Sequence, residues 1–366
     1  MELDIHRRQL LKAGSTTLGG VALALQTTAR AQGPARDAAD PVPVVQAVTD
    51  PSALRFATCQ FGGNAANAPA RIGIVLSNGH VVDVQTQAAR HHIKLAFPAD
   101  SMLGFIASGE AGMAQMQTLA VLAARSRVDT VPIGRVKFLS PIPKPQSNIY
   151  CVGWNYLEHF EEGLKARADK AVTTYPAHPV FFTKAVHVMN SPFGTIPYDP
   201  GYTAQADWEA ELAFVIGKGG RNISEAQAMD HVFGYTAFND TTVRDVQQKL
   251  HGGQWFMGKS LDGYGPMGPW IVMANGVKLE DVRIICRVNG VEKQNASYQQ
   301  MYFKVPRIIA ELSRNMTLSP GDIVSTGTPP GVGFARKPPE FLKPGDVMET
   351  EITGVGMLRN TVRTEV

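Results

Sequence analysis

The segment Asp207-Trp208-Glu209-Ala210-Glu211-Leu212-Ala213-Phe214-Val215-Ile216-Gly217 carries acidic side chains at alternate positions. In an extended strand successive side chains point to opposite faces. Asp207, Glu209 and Glu211 therefore share one face, while Trp208, Ala210, Leu212, Phe214 and Ile216 share the other. The apolar face suits a core. Neighbouring carboxylates about 7 Å apart on one face repel unless water or a cation lies between them, so the acidic face is either solvated or a cation site. Further on, Phe233 to Gln247 runs from an apolar strand into a helix-start pattern, with Asp240 at the junction. Asp240 can simply cap that helix. It can also complete an all-oxygen site with Glu209 and Glu211, which suits Mg²⁺, Mn²⁺ or Ca²⁺ rather than zinc.

Other residues have types and spacings suited to acid–base and anion chemistry. His159 and Glu162 lie three apart and share a face if that stretch is helical; a carboxylate beside an imidazole orients it and raises its basicity, although such a pair also occurs on plain surfaces. Gly253-Gln254-Trp255-Phe256-Met257-Gly258-Lys259-Ser260 formally fits a phosphate-loop pattern. The polar Asp245–Leu250 stretch before it, and the bulky side chains inside it, deny it the strand and curling backbone that such a loop requires. Thr328, in a glycine-flanked turn, offers a hydroxyl and neighbouring N–H groups to a carboxylate. Gln247, about a helical turn beyond Arg244, is placed to face the same site. Tyr156 and Lys184 are candidates for its wall, with packing or a salt bridge as the plainer use of each.

Five blocks in order resemble the fumarylacetoacetate hydrolase family: Val152-Gly153-Trp154-Asn155-Tyr156-Leu157-Glu158-His159, Pro179-Val180-Phe181-Phe182-Thr183-Lys184, Asp207 to Gly217, Asn239 to Gln247, and Thr326-Gly327-Thr328-Pro329-Pro330-Gly331-Val332-Gly333. The likeness runs from about Tyr150 to the C-terminus. It implies an α+β chain with the family's β-roll, a mixed sandwich or barrel-like C-terminal domain. It also implies a divalent metal, usually Mg²⁺ or Mn²⁺, on Glu209, Glu211 and Asp240, and a homodimer. By the same resemblance His159 and Glu162 sit on a lid helix and activate water, and Lys259 stabilises a developing enolate; Thr328, Gln247 and Tyr156 are the expected substrate contacts. The implied substrate is a small 2-oxo acid, and the expected reaction is C–C hydrolysis of a 2,4-dioxo acid. A decarboxylase, isomerase or hydratase of the same family is the alternative, and a non-catalytic periplasmic protein that binds metal or a 2-oxo acid a further one. Fumarylacetoacetase itself has an additional aspartate ligand near Gly153–Tyr156; no carboxylate stands there in this sequence, which argues against that particular activity.

The elements that must position these residues fit an ordinary globular chain of 366 residues, 44% hydrophobic and 18% charged, which excludes disordered and collagen-like classes. Cys59, Cys151 and Cys286 are too few and too scattered for a disulfide framework or a Cys-rich zinc site, leaving at most one bridge and a free thiol. Arg7-Arg8 ahead of a mildly apolar stretch and Ala29-Arg30-Ala31 read as a twin-arginine export signal over residues 1–31, with a periplasmic destination and no membrane span after cleavage. That segment holds Arg7, Arg8, Lys12 and Arg30 against Glu2 and Asp4, so it accounts for two of the three net positive charges. No nucleic-acid footprint remains. Residues 32–53 read as a flexible linker rich in Pro, Ala and Asp, with order beginning near Leu54. Residues 54–145 form a small β-containing subdomain, with a hairpin at Asn78-Gly79 and helical spacing from about Met102 to Arg127; Pro141 to Pro145 marks its boundary with a strand-rich catalytic part over 146–366.

Overall fold

A computed structural model describes residues 41–50, 52–62, 68–126, 130–166 and 173–365. The export-signal reading, with residues 32–40 of the expected linker, lies outside the described residues. From Pro41 to Asp50 the chain packs along the body where the sequence suggests a free linker. Pro43 is buried, Thr49 donates its N–H to the Gly276 carbonyl at 3.1 Å, and Val45 and Val48 pack on the core. Pro43, Val45 and Val48 give this stretch an apolar edge to bury, while Val42 and Val44 stay exposed.

The expected hairpin forms between strands Ala70–Val75 and His80–Asp83, with Gly79 at φ +78° closing the turn. Helical spacing beyond Met102 yields two helices, Met102–Ala107 and Gly109–Ser126. The break falls at Gly109, whose φ of +58° cannot continue a right-handed helix. Asp83 and Ser101 cap the helices that follow them by accepting from the backbone N–H groups of Thr86 and Gly104.

The architecture is α+β. A 12-stranded mixed sheet runs from Thr130–Pro132 through the hairpin and Arg55–Phe61 to Gly265–Met273, Val232–Asn239, Ala210–Ile216, Ile323–Ser325, Ile149–Gly153 and Val180–Lys184. Arg55–Phe61 pairs directly with Gly265–Met273, so hydrogen bonding is continuous across the Pro141–Pro145 stretch. A second sheet of five strands, containing Arg283–Val288, Val347–Ile352 and Gly356–Thr364, packs against the first and closes the core around Trp208, Leu212, Phe214 and Trp270. Among the described residues the sheets do not close into a barrel. All three cysteines are buried and unbridged. No helix among the described residues is long and apolar enough to cross a membrane.

Candidate active site

The acidic segment occupies the sheet interior. Ala210–Ile216 pairs antiparallel with Val232–Asn239, Ala210 facing Asn239 and Glu211 facing Phe238, and every residue of Ala210–Ile216 is buried. This excludes a solvated acidic face. Asp240 follows the end of the neighbouring strand and does not cap the next helix; Val243 precedes Arg244–Lys249 and makes no side-chain cap. Glu209, Glu211 and Asp240 instead converge, each offering an oxygen within 4.8 Å of the others'.

Three buried cations surround them. Lys259 Nζ donates to Glu209 Oε2 at 2.6 Å and to Asp240 Oδ2 at 2.7 Å. Lys184 Nζ lies 2.7 Å from Asp240 Oδ1 and donates to the Thr241 carbonyl at 3.0 Å. Arg244 reaches Asp207 Oδ2 through Nε at 2.8 Å and Glu209 Oε1 through Nη2 at 2.6 Å. Lys259, held between two carboxylates, has no phosphate-loop geometry.

Four buried carboxylates against three buried cations leave one negative charge, before His159 is counted. Its effect falls on Glu211, whose carboxyl is held well above the ordinary carboxylate range by burial and then by Asp240 and Glu209. Glu209 goes the other way. Burial pushes its carboxyl up, but Lys259 and Arg244 outweigh that and bring it to about 2. Burial also pulls Lys184 below the usual lysine value, whereas for Lys259 the pull of Asp240 and Glu209 exceeds the desolvation. Each carboxylate oxygen retains accepting capacity beyond the bonds described. An all-oxygen donor set short of positive charge fits a hard divalent cation on Glu209, Glu211 and Asp240.

A turn and a helix cover this floor. Glu211 Oε2 accepts from Ser325 Oγ at 2.5 Å and from the Gly327 N–H at 2.8 Å, so the strand bearing the acids anchors the turn that follows Ile323–Ser325. Asp207 accepts from the N–H groups of Gly333 and Phe334 at 2.7 and 3.0 Å, fixing the turn's far end. The helix Leu157–Ala166 carries His159 and Glu162 on one face, His159 Nδ1 lying 2.8 Å from Glu162 Oε1. Glu162 also accepts the Gly331 N–H with both oxygens, at 3.0 and 2.9 Å. Gly331 sits at φ +104°, and a Cβ there would lie 2.1 Å from the Lys293 carbonyl oxygen, so no side chain fits at this contact.

One cavity brings together His159, Glu209, Glu211, Gln247, Lys259 and Thr328. Thr328 is already satisfied: its hydroxyl donates to the Ala210 carbonyl and accepts from Gln294. Gln247 accepts from Arg244 Nη1 at 3.1 Å. Tyr156 does not reach the cavity. It precedes the helix, its ring is fully buried in the core, and its hydroxyl has no hydrogen-bond partner among the described residues. Glu162 stands behind His159, between the helix and the Gly331 turn.

The sequence reading did not identify Asp207 and Arg244 as the pair that braces Glu209, nor Lys184 as a counter-ion of Asp240. It also missed Gln294, which accepts from the Ala210 N–H at 3.0 Å while donating to Thr328 Oγ1 and the Pro329 carbonyl. The buried charges could have been flagged as needing partners. Nothing in the local pattern marks Gln294.

An acid-lined, cation-braced pocket thus lies beneath a histidine-bearing helix on a mixed α+β sheet scaffold. Residues 148–363 match the fumarylacetoacetate (FAA) hydrolase C-terminal family, and the chain belongs to it. It is 38% identical over 296 residues to an oxaloacetate tautomerase of Bacillus subtilis (strain 168), covering 80% of this chain and 95% of that protein. The structure of a fumarylacetoacetate hydrolase from Exiguobacterium antarcticum matches with a TM-score of 0.68 at 35% identity, covering 85% of this chain and 100% of that one. A probable 2-hydroxyhepta-2,4-diene-1,7-dioate isomerase from Mycobacterium abscessus matches with a TM-score of 0.63 at 27% identity, covering 86% and 99%.

Proposed function

We propose that this chain is a divalent-metal-dependent enzyme that moves a proton at C3 of a small 2-oxo acid, interconverting its keto and enol forms. The observation that carries this reading is the engagement of Glu162. Both of its oxygens are bonded to the Gly331 N–H, and one also meets His159 Nδ1, so His159 Nε2 is left as the base for the cavity. A proton held on Nδ1 and donated to Glu162 fixes the imidazole tautomer with its Nε2 lone pair available. Nε2 then takes the C3 proton while the enolate oxygen takes one from solvent; in the reverse direction solvent removes the enol O–H proton and Nε2 returns one to C3. Lys259 places positive charge where the 2-oxo oxygen becomes negative. A divalent cation on Glu209, Glu211 and Asp240, when bound, would supply Lewis-acid polarisation of the substrate's carboxylate and 2-oxo oxygens. The tautomerase and isomerase names of relatives support this reading over the C–C hydrolysis expected from the sequence.

Hydrolysis of a 2,4-dioxo acid remains the second reading, favoured by hydrolases among the similar structures. It uses the same residues with a water between His159 and the distal carbonyl. The test is stopped-flow ketonisation of oxaloacetate enol beside pyruvate release from acetylpyruvate, each with Mg²⁺ or Mn²⁺ and with EDTA. EDTA-sensitive ketonisation without pyruvate release is the expected result. Faster pyruvate release would transfer the assignment to a hydrolase, and no metal-dependent turnover of either would sink both. The twin-arginine reading extends the proposal to a periplasmic enzyme and the family resemblance to a homodimer, which cell fractionation and light scattering test.

A further inference from the structure

An aromatic wall leads away from the acidic floor. Lys259 Nζ lies 5.2 Å from the centre of the Phe182 ring; Phe182 meets Trp255 edge-on at 5.1 Å, and Trp255 meets Trp154 edge-on at 5.1 Å. All three rings line the cavity. The wall is seated by the backbone. Trp255 lies so close over Gly153 that a Cβ there would come within 2.6 Å of its ring, and Trp154 is held at φ +54°, a conformation rare outside glycine. Phe160, on the helix that carries His159, packs against Trp154 at 5.8 Å and braces it from behind.

The cations lining the cavity are already committed. Arg244 is engaged by Asp207, Glu209 and Gln247 and stacks on Phe334 at 4.4 Å, while Lys259 is shared by Glu209 and Asp240. Among the described residues no further lysine or arginine lines this cavity. A substrate whose 2-oxo acid end lies on the floor therefore points its other end at indole and phenyl faces. A carboxylate there loses hydration without gaining a cation, whereas a flat uncharged group stacks.

We infer that the Phe182–Trp255–Trp154 wall selects 2-oxo acids whose far end is an uncharged acyl or aryl group over those ending in a second carboxylate. This deepens the tautomerase reading and rests on it for the reaction measured. The experiment compares kcat/KM for ketonisation of benzoylpyruvate enol and oxaloacetate enol, in the full chain and in its Trp255→Arg and Trp255→Leu variants, beside the Mg²⁺-dependent thermal shift each compound gives. The wild-type chain is expected to favour benzoylpyruvate by about tenfold. Trp255→Arg should move the ratio toward oxaloacetate by a similar factor, and Trp255→Leu should weaken benzoylpyruvate alone. A wild-type preference for oxaloacetate, or a ratio unmoved by both variants, overturns the inference. If neither compound turns over, the tautomerase reading fails and the thermal shifts still decide: larger stabilisation by benzoylpyruvate upholds the wall's role, and equal or smaller stabilisation rejects it.

Discussion

The floor and the roof of the pocket are built differently. The floor's acids and cations stand in or beside the central strands, almost wholly buried, each bonded to an opposite charge or a backbone group. The roof is a ten-residue helix and the 250–257 segment, with Leu157, Leu250, Phe256 and Met257 exposed and His251, Gly252 and Gly253 all at positive φ. Groups that must hold charge in fixed geometry come from the part that is costly to deform. Of the groups that meet the variable end of a substrate, Trp255 comes from the part that can change without disturbing the core, while Phe182 and Trp154 stand in or just past sheet strands. Changes to the floor should therefore damage folding and chemistry together, and changes to the roof chemistry alone.

Asp240→Ala should have the largest effect. It strips Lys184 and Lys259 of a shared buried partner, and an uncompensated buried charge costs about 3–5 kcal/mol. The expected outcome is that loss in urea unfolding together with loss of measurable Mg²⁺ binding by calorimetry. Wild-type stability would show that the floor is not the rigid element described.

His159→Ala should lower kcat about 10²–10⁴-fold, the range of a general acid–base group, while the urea midpoint and Mg²⁺ affinity stay near wild type. A parallel fall in stability would erase the contrast between floor and roof.

That contrast also marks what the sequence makes legible. Glu209 and Glu211 stand out because strand alternation isolates an acidic face, and His159 with Glu162 because three residues bring side chains to one side of a helix. Both are local periodicities. Lys184 meets Asp240, and Gln294 meets Thr328, only because segments distant in sequence and not paired with each other in a sheet converge in the fold, so their roles emerge with topology. Tyr156 fails as a wall residue for a related reason. It adjoins His159 in sequence but precedes the helix, and its ring turns into the core. Val45 and Val48 look like linker until a surface exists to receive them.

The floor's charge imbalance gives a pH signature. Burial, with Asp240 and Glu209, raises Glu211 above its ordinary value of 4.5, so in EDTA the folded chain holds a proton that the unfolded chain releases. Stability from that group is complete below the unfolded value and is lost as pH rises through the folded one, about 1.4 kcal/mol for each unit of separation. A bound cation replaces the proton and removes the loss. Melting temperatures between pH 5 and 9 should fall with pH in EDTA and stay level in Mg²⁺, the gap widening upward; parallel curves would refute a cation site that includes Glu211.

The smallest effect is expected at the seam between floor and roof. Glu162→Gln retains an oxygen that can accept from Gly331 or from His159 Nδ1, but loses the charge that favours the imidazolium formed when Nε2 takes a proton. A positioning role predicts a fall in kcat of roughly tenfold with KM unchanged, the electrostatic share of a carboxylate beside a histidine base. Glu162→Ala removes the anchor to Gly331 as well, freeing the helix, so KM should rise too and amide exchange in Leu157–Ala166 should quicken. If Glu162 were itself the base, both variants would lose activity to the same extent as His159→Ala. Separation of Gln from Ala, in KM and in helix exchange, therefore distinguishes a carboxylate that holds the roof in place from one that does the chemistry.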